Sequence, residues 1–123
     1  MGLFGQKKAK VQPEPITLAD VDFELAAKLD AQDQQMAAIQ RAEGAFKDTG
    51  DIDALIAFWE DIWDNGGLLV NGSRWTFRLP DLYIKIQDYD NTLRILRKIK
   101  NPAYKTKKES YIERVYALKA KQK

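Results

Sequence analysis

The chain has 123 residues, 45% apolar and 31% charged, with no cysteine and no histidine. That is enough for one domain with a single core, and it excludes disulfides, thiolate zinc sites, cysteine nucleophiles and histidine-based triads. The net charge of +2 hides a split: three lysines and no acid in residues 1–10, a net −10 over residues 11–93, and +9 over residues 94–123.

Taken in order, residues 1–16 read as a disordered basic N-terminal arm, because they hold lysines and two prolines and no apolar period. Gly2 invites a myristoylation reading, but Gln6 stands where that motif takes Ser or Thr. Gly-Leu-Phe-Gly at residues 2–5 occurs once and not as a repeat. The start lacks the long apolar core of a secretory signal, and no apolar run approaches the ~20 residues that span a bilayer. The expected location is therefore cytoplasmic, with no membrane partner.

Residues 17–118 read as a single helical domain. Thr17 fits a helix N-cap, with Asp20 three positions on as a capping-box partner. Leu18, Val21, Leu25 and Leu29 fall on one helical face, with Phe23 off to the side. Residues 30–35 are polar throughout, and the apolar face resumes at Met36, Ile39, Ala42 and Phe46. One long helix and two helices broken near residues 30–33 both fit, and a break is the reading adopted.

Gly50 supplies the left-handed residue that commonly follows a helix, and Asp51 caps the next. That helix carries Ile52, Leu55, Ile56, Trp59, Ile62 and Trp63 as a broad apolar stripe, widened by Phe58, and Asn65-Gly66-Gly67 ends it. Residues 68–79 are ambiguous. Asn71-Gly72 between two apolar runs is a strong hairpin signal, whereas Ser73 can cap a helix running on through Trp75, Leu79 and Leu82. Pro80 would kink that helix or begin a shorter one at its first turn. A helix from about Ser73 is the reading adopted. Asp88 caps the next helix, whose Tyr89, Leu93, Leu96 and Ile99 face the core, and Asn101-Pro102 ends it. A last helix uses Tyr111, Ile112, Val115, Tyr116 and Leu118, and residues 119–123 form a basic tail expected to fray.

Two stretches echo each other at an offset of 37 residues: Phe46, Gly50, Asp51, Ile52, Leu55, Trp59 and Ile62 against Tyr83, Gln87, Asp88, Tyr89, Thr92, Leu96 and Ile99. That period lies in the helical-repeat range. Both units resemble a tetratricopeptide repeat over roughly residues 36–102, with Pro102 close to the family's closing proline. They depart from it at Leu55, Ile62 and Ile99, where the family has small residues, and at Glu43 and Pro80, where it has glycine. The resemblance implies tandem antiparallel helical hairpins with flanking end helices, and recognition of a peptide in a concave groove. Residues 18–29 would cover one end of the stack and residues 111–118 the other.

The fold class is therefore all-α, and the expected function is a non-enzymatic adaptor or scaffold without a cofactor. Its partner would be a protein or peptide, an acidic one for preference, or a second copy of the chain. Trp59, Trp63, Trp75, Phe58 and Phe77 are mostly core by their spacing, with Phe58 and Trp75 the candidates for exposed anchors. Arg94, Arg97 and Lys98, with Lys100, Lys105, Lys107 and Lys108, form the densest basic run, and Tyr104 and Tyr111 are interleaved with it. Stacking on tyrosines beside lysines makes nucleic-acid binding the alternative, opposed by the −10 on the body of the same domain. Glu60, Asp61 and Asp64 read as a solvated face. Asp48, Asp51 and Asp53 lack the later ligands of a calcium loop, so no metal site is expected.

Overall fold

Residues 15–70 and 74–122 are described by the computed structural model, with side chains from residue 23 onward. Among them the protein is all-α. The elements are α1 (Pro15–Thr49), α2 (Ile52–Asp64), α3 (Arg78–Lys85), α4 (Tyr89–Lys98), a 3₁₀ turn (Pro102–Tyr104) and α5 (Lys105–Lys121). The basic arm, except for Pro15 and Ile16, lies outside the described residues, and so does the Asn71-Gly72 turn signal. Among the described residues no helix is long and apolar enough to cross a membrane.

Two compact units divide within α1, one ending at Met36 and the other running from Ala37 to Lys123. In the first, Leu25 and Leu29 were expected to cover one end of a stack. They are instead 53% and 50% exposed, and Phe23 is 75% exposed. The break expected near residues 30–33 is absent, because α1 is helical throughout. A polar run removes the apolar face but holds no Gly or Pro to stop the backbone. Gln34 Nε2 donates to Asp30 Oδ2 at 2.9 Å, an i, i+4 pair that supports the turn. Thr17, expected as the N-cap, lies inside the helix that Pro15 already belongs to.

In the second unit the α1–α2 and α3–α4 turns repeat each other. Gly50 (φ 70°) follows α1, and Gln87 (φ 63°) follows α3. After α3 the Asp88 N–H reaches Tyr83 O at 2.8 Å and the Gln87 N–H reaches Ile84 O at 3.0 Å, the paired bonds of a Schellman turn. A left-handed glutamine there is strained where Gly50 is not. The residue after each turn caps the next helix. Asp51 Oδ1 accepts from Ala54 N at 3.1 Å, and Asp88 Oδ1 accepts from Asn91 N at 3.3 Å.

The helix expected from about Ser73 begins later. Residues 74–77 are turns, and α3 starts at Arg78 with Phe77 as its N-cap. Pro80 decides this. At the third helical position its missing N–H has no carbonyl to reach, so it opens a short helix without kinking a long one.

Buried side chains come from every helix of this unit: Ile39 of α1, Leu55, Ile56, Trp59 and Ile62 of α2, Leu79, Leu82 and Tyr83 of α3, Leu93, Ile95 and Leu96 of α4, and Val115 of α5. The helices pack chiefly as neighbours in sequence: α2 on α3, α3 on α4, and α4 on α5. Val115 is fully buried against the cluster of Phe77, Tyr89, Leu93, Leu96 and Ile99, so α5 closes that end as expected. Tyr116, expected in the core, is 52% exposed, because Tyr111, Ile112, Val115 and Leu118 fill the inward face. Residues 119–123, expected to fray, are helical as far as Lys121, with Lys119 Nζ on Asp90 Oδ1 at 2.7 Å.

One polar network ties α1, α2 and α3. The Glu43 carboxylate accepts from Arg78 Nε (2.8 Å), from Arg78 Nη2 (2.7 Å) and from Trp59 Nε1 (2.9 Å). Arg78 also lies over the Phe46 ring.

Candidate functional site

The charge change of the sequence falls along α4, where Tyr89, Thr92, Leu93, Ile95 and Leu96 are buried and Asp90 in the first turn gives way to Arg94, Arg97 and Lys98. Arg94 and Lys98, one turn apart, face Glu60 and Asp64, one turn apart on α2. Arg94 pairs with Glu60, and Lys98 Nζ lies 3.7 Å from Asp64 Oδ1. Glu60 also accepts from the Tyr83 hydroxyl. Burial alone would push the Glu60 carboxyl up, but the hydrogen bonds from Arg94 and Tyr83 and the nearby charges of Arg94 and Lys98 outweigh it. The group is held below the ordinary glutamate value. The same burial, with the carboxylate beside it, raises Tyr83 and keeps its hydroxyl a neutral donor.

A carboxyl whose folded pKa lies below its unfolded one adds stability that is fully present above the unfolded value. That stability is lost as pH falls through the folded value. Glu60→Gln is therefore expected to cost stability at neutral pH, with the gap to wild type narrowing once pH drops below the unfolded value near 4.5. Urea unfolding from neutral to acid pH measures this, and a gap that stays constant would show that the Glu60 charge does not contribute.

The aromatic candidates divide between two rings. Phe58 meets Trp59 edge-on at 5.6 Å and Trp75 lies tilted against it at 5.8 Å, so both flank a fully buried indole. Tyr104 packs edge-on against Phe77 at 5.7 Å, and Tyr111 is tilted over the same ring at 4.7 Å. Tyr111 Oη also donates to Asp81 Oδ1 at 2.8 Å, and burial together with that carboxylate pushes its pKa up to about 12. Lys107 Nζ sits 4.7 Å from the Phe77 centroid.

Between the C-terminal ends of α2 and α4 lies a cleft of ≈ 90 Å³, lined by Trp63, Leu68, Val70, Ile99 and Tyr104 with Thr76, Lys100 and Asn101. The Trp63 Nε1–H is buried there without an acceptor. Asn101 Oδ1 is occupied by Ala103 N at 3.0 Å, and Lys108 Nζ closes the end of α4 on Ile99 O at 2.9 Å. Arg97 and Lys100 are exposed and have no ion-pair partner among the described residues. Leu69 and Val70, on the segment that supplies Leu68, are 44% and 36% exposed.

No family model matches the sequence, and no curated protein or solved structure shows significant similarity to it.

Of the seven residues singled out in sequence, only Tyr104 lines the cleft. Arg94 and Lys98 are turned to α2, Arg97 has no ion-pair partner among the described residues, Tyr111 packs on Phe77 and bonds Asp81, and Phe58 and Trp75 belong to the Trp59 cluster. Sequence reasoning missed Trp63, Leu68 and Lys100 as neighbours and took Glu60 for a solvated acid. The matching i, i+4 spacing of Glu60 with Asp64 and of Arg94 with Lys98 is the signal that could have paired the helices. Asp51 and Asp61 have local roles, on Ala54 N and on the Asn65 amide. Among the described residues no group of three or more acidic, His or Cys side chains gathers to hold a metal.

Proposed function

We propose that the chain is a non-enzymatic protein-interaction module whose cleft at the ends of α2 and α4 takes an acidic, apolar segment of a partner protein. The observation that carries this is the composition of the cleft. Trp63, Leu68, Ile99 and Tyr104 offer apolar surface, Lys100 offers a free cation, and no carboxylate is among the described lining. Its volume is well under the ~300–1,000 Å³ of a small-molecule pocket. It suits one inserted side chain, with a neighbouring acid reaching Lys100 or Arg97.

The tetratricopeptide resemblance supports the same class of activity. Matching left-handed turns at Gly50 and Gln87 and matching caps at Asp51 and Asp88 stand at the 37-residue offset. Fold analogy alone assigns no partner. Nucleic-acid binding is the less favoured reading, because Tyr104 and Tyr111 have Phe77 against their rings and α4 spends Arg94 and Lys98 on α2.

A synthetic peptide alternating glutamate and leucine should quench or shift the tryptophan fluorescence of the full chain. Arg97→Glu with Lys100→Glu should weaken it ~tenfold or more, about 1.4 kcal/mol or above, without changing the far-ultraviolet circular dichroism. Unaltered affinity in that variant would overturn the assignment. So would tighter binding of an oligothymidylate with a steep salt dependence.

A further inference from the structure

Resting on that reading, we propose that the chain itself carries the segment its cleft takes, so that copies associate head to tail. The exposed face of α1 in one copy would dock on the basic end of the next. Leu25 and Leu29 lie one turn apart on a common helical face and are 53% and 50% exposed. By register Asp33, one turn beyond Leu29, continues that face, and it is exposed. This is an aliphatic side chain beside a carboxylate, which matches the cleft's apolar side chains and its Lys100.

Charge selects this occupant over the others. Residues 15–36 carry five acids and Lys28, a net −4, whereas residues 94–123 carry +9. Pairing two α1 segments face to face would bring −4 against −4. Docking α1 of one copy on the C-terminal region of another neutralises both. An isolated helical segment is marginal in water, and a partner surface supplies the burial its leucines lack. Val70 lines the cleft, and the exposed Leu69 beside it adds apolar surface at its edge. A head-to-tail contact does not close on itself in a pair, so a third copy can add to each free end.

Sedimentation of the full chain with two surface variants tests this. One is Leu25→Glu with Leu29→Glu, which removes the donor face. The other is Arg97→Glu with Lys100→Glu, which removes the acceptor. Wild type should associate with rising concentration, and should lose that association as salt rises from about 0.1 to about 1 M, where the Debye length falls from about 10 to about 3 Å. Each variant alone should sediment as a monomer. An equimolar mixture of the two should give a one-to-one dimer and nothing larger, because each variant keeps one working face.

Self-association of the Arg97→Glu, Lys100→Glu variant alone would mean that α1 pairs with α1, and would overturn the proposal. A mixture that stays monomeric would overturn it as well. If wild type is monomeric throughout while the glutamate–leucine peptide still binds, self-docking fails and the cleft reading survives. If the peptide also fails to bind, both fall. All four substituted positions are exposed, and circular dichroism checks that the variants keep their helices.

Discussion

Replacing Glu43 with alanine is expected to lower the free energy of unfolding by about 3 kcal/mol. Three hydrogen bonds converge on this one carboxylate, two from Arg78 and one from Trp59. The Glu43 side chain is 16% exposed and that of Arg78 is 28% exposed, so the pair is screened far less than a surface bridge. Removing the acid leaves the indole N–H of a fully buried tryptophan and a half-buried guanidinium without their acceptor. Glu43→Gln keeps an acceptor for one donor and should lose about half as much. Urea unfolding at fixed pH is the measurement, read as a shift in midpoint at unchanged slope. A loss under about 0.5 kcal/mol would reduce the contact to an ordinary surface pair. Replacing Glu43 and Arg78 together with methionine should recover part of the loss, since apolar pairs often substitute for buried ion pairs.

Leu96→Ala should cost about as much by a different route. Leu96 is fully buried in the cluster that α4 forms with Phe77 and with Val115 of α5. Truncation there removes transfer free energy and leaves a cavity, about 2–5 kcal/mol for a buried leucine. Domain stabilities are about 5–15 kcal/mol, so the variant should melt well below wild type, by about 4–8 °C for each kcal/mol in a domain of this size. Leu96→Met, which nearly conserves volume, should cost under about 1.5 kcal/mol. Calorimetry of the three proteins separates the cases. Equal melting temperatures for wild type and Leu96→Ala would mean that the neighbours collapse into the space.

What could be read in the sequence was local. Gly50, Asp51, Asp88 and the Asn65-Gly66-Gly67 stop were placed correctly, because turn and cap chemistry is decided by residues within four positions. Leu93, Leu96 and Ile99 were legible because they keep one helical face, whereas the fully buried Thr92 and Ile95 beside them were not singled out for the core. The misplacements arose where one local signal outweighed another. The polar run at residues 30–35 looked like an interruption, yet it breaks only the apolar face, and nothing in it opposes helical dihedrals. Ser73 looked like a cap, but Pro80 sets where α3 can start.

The ties across the fold were out of reach for a different reason. Glu43 meets Trp59 and Arg78 at separations of 16 and 35 residues. At that distance no periodicity reports which side chains converge. The cleft was missed for the same reason, since Trp63, Leu68, Lys100 and Tyr104 come from separate segments and only packing brings them together.

The turns at Gly50 and Gln87 also bear on how the molecule assembles in time. Only two residues separate α1 from α2, and three separate α3 from α4. Closing such short loops loses little chain entropy, and most inter-helix packing joins sequence neighbours, so the contact order is low. Folding in this unit can begin at the α3–α4 turn and spread outward one helix at a time. The ties that skip a helix, Arg78 on Glu43, Arg94 on Glu60 and Tyr111 on Asp81, then couple the finished helices, so a loss at one end is felt two helices away.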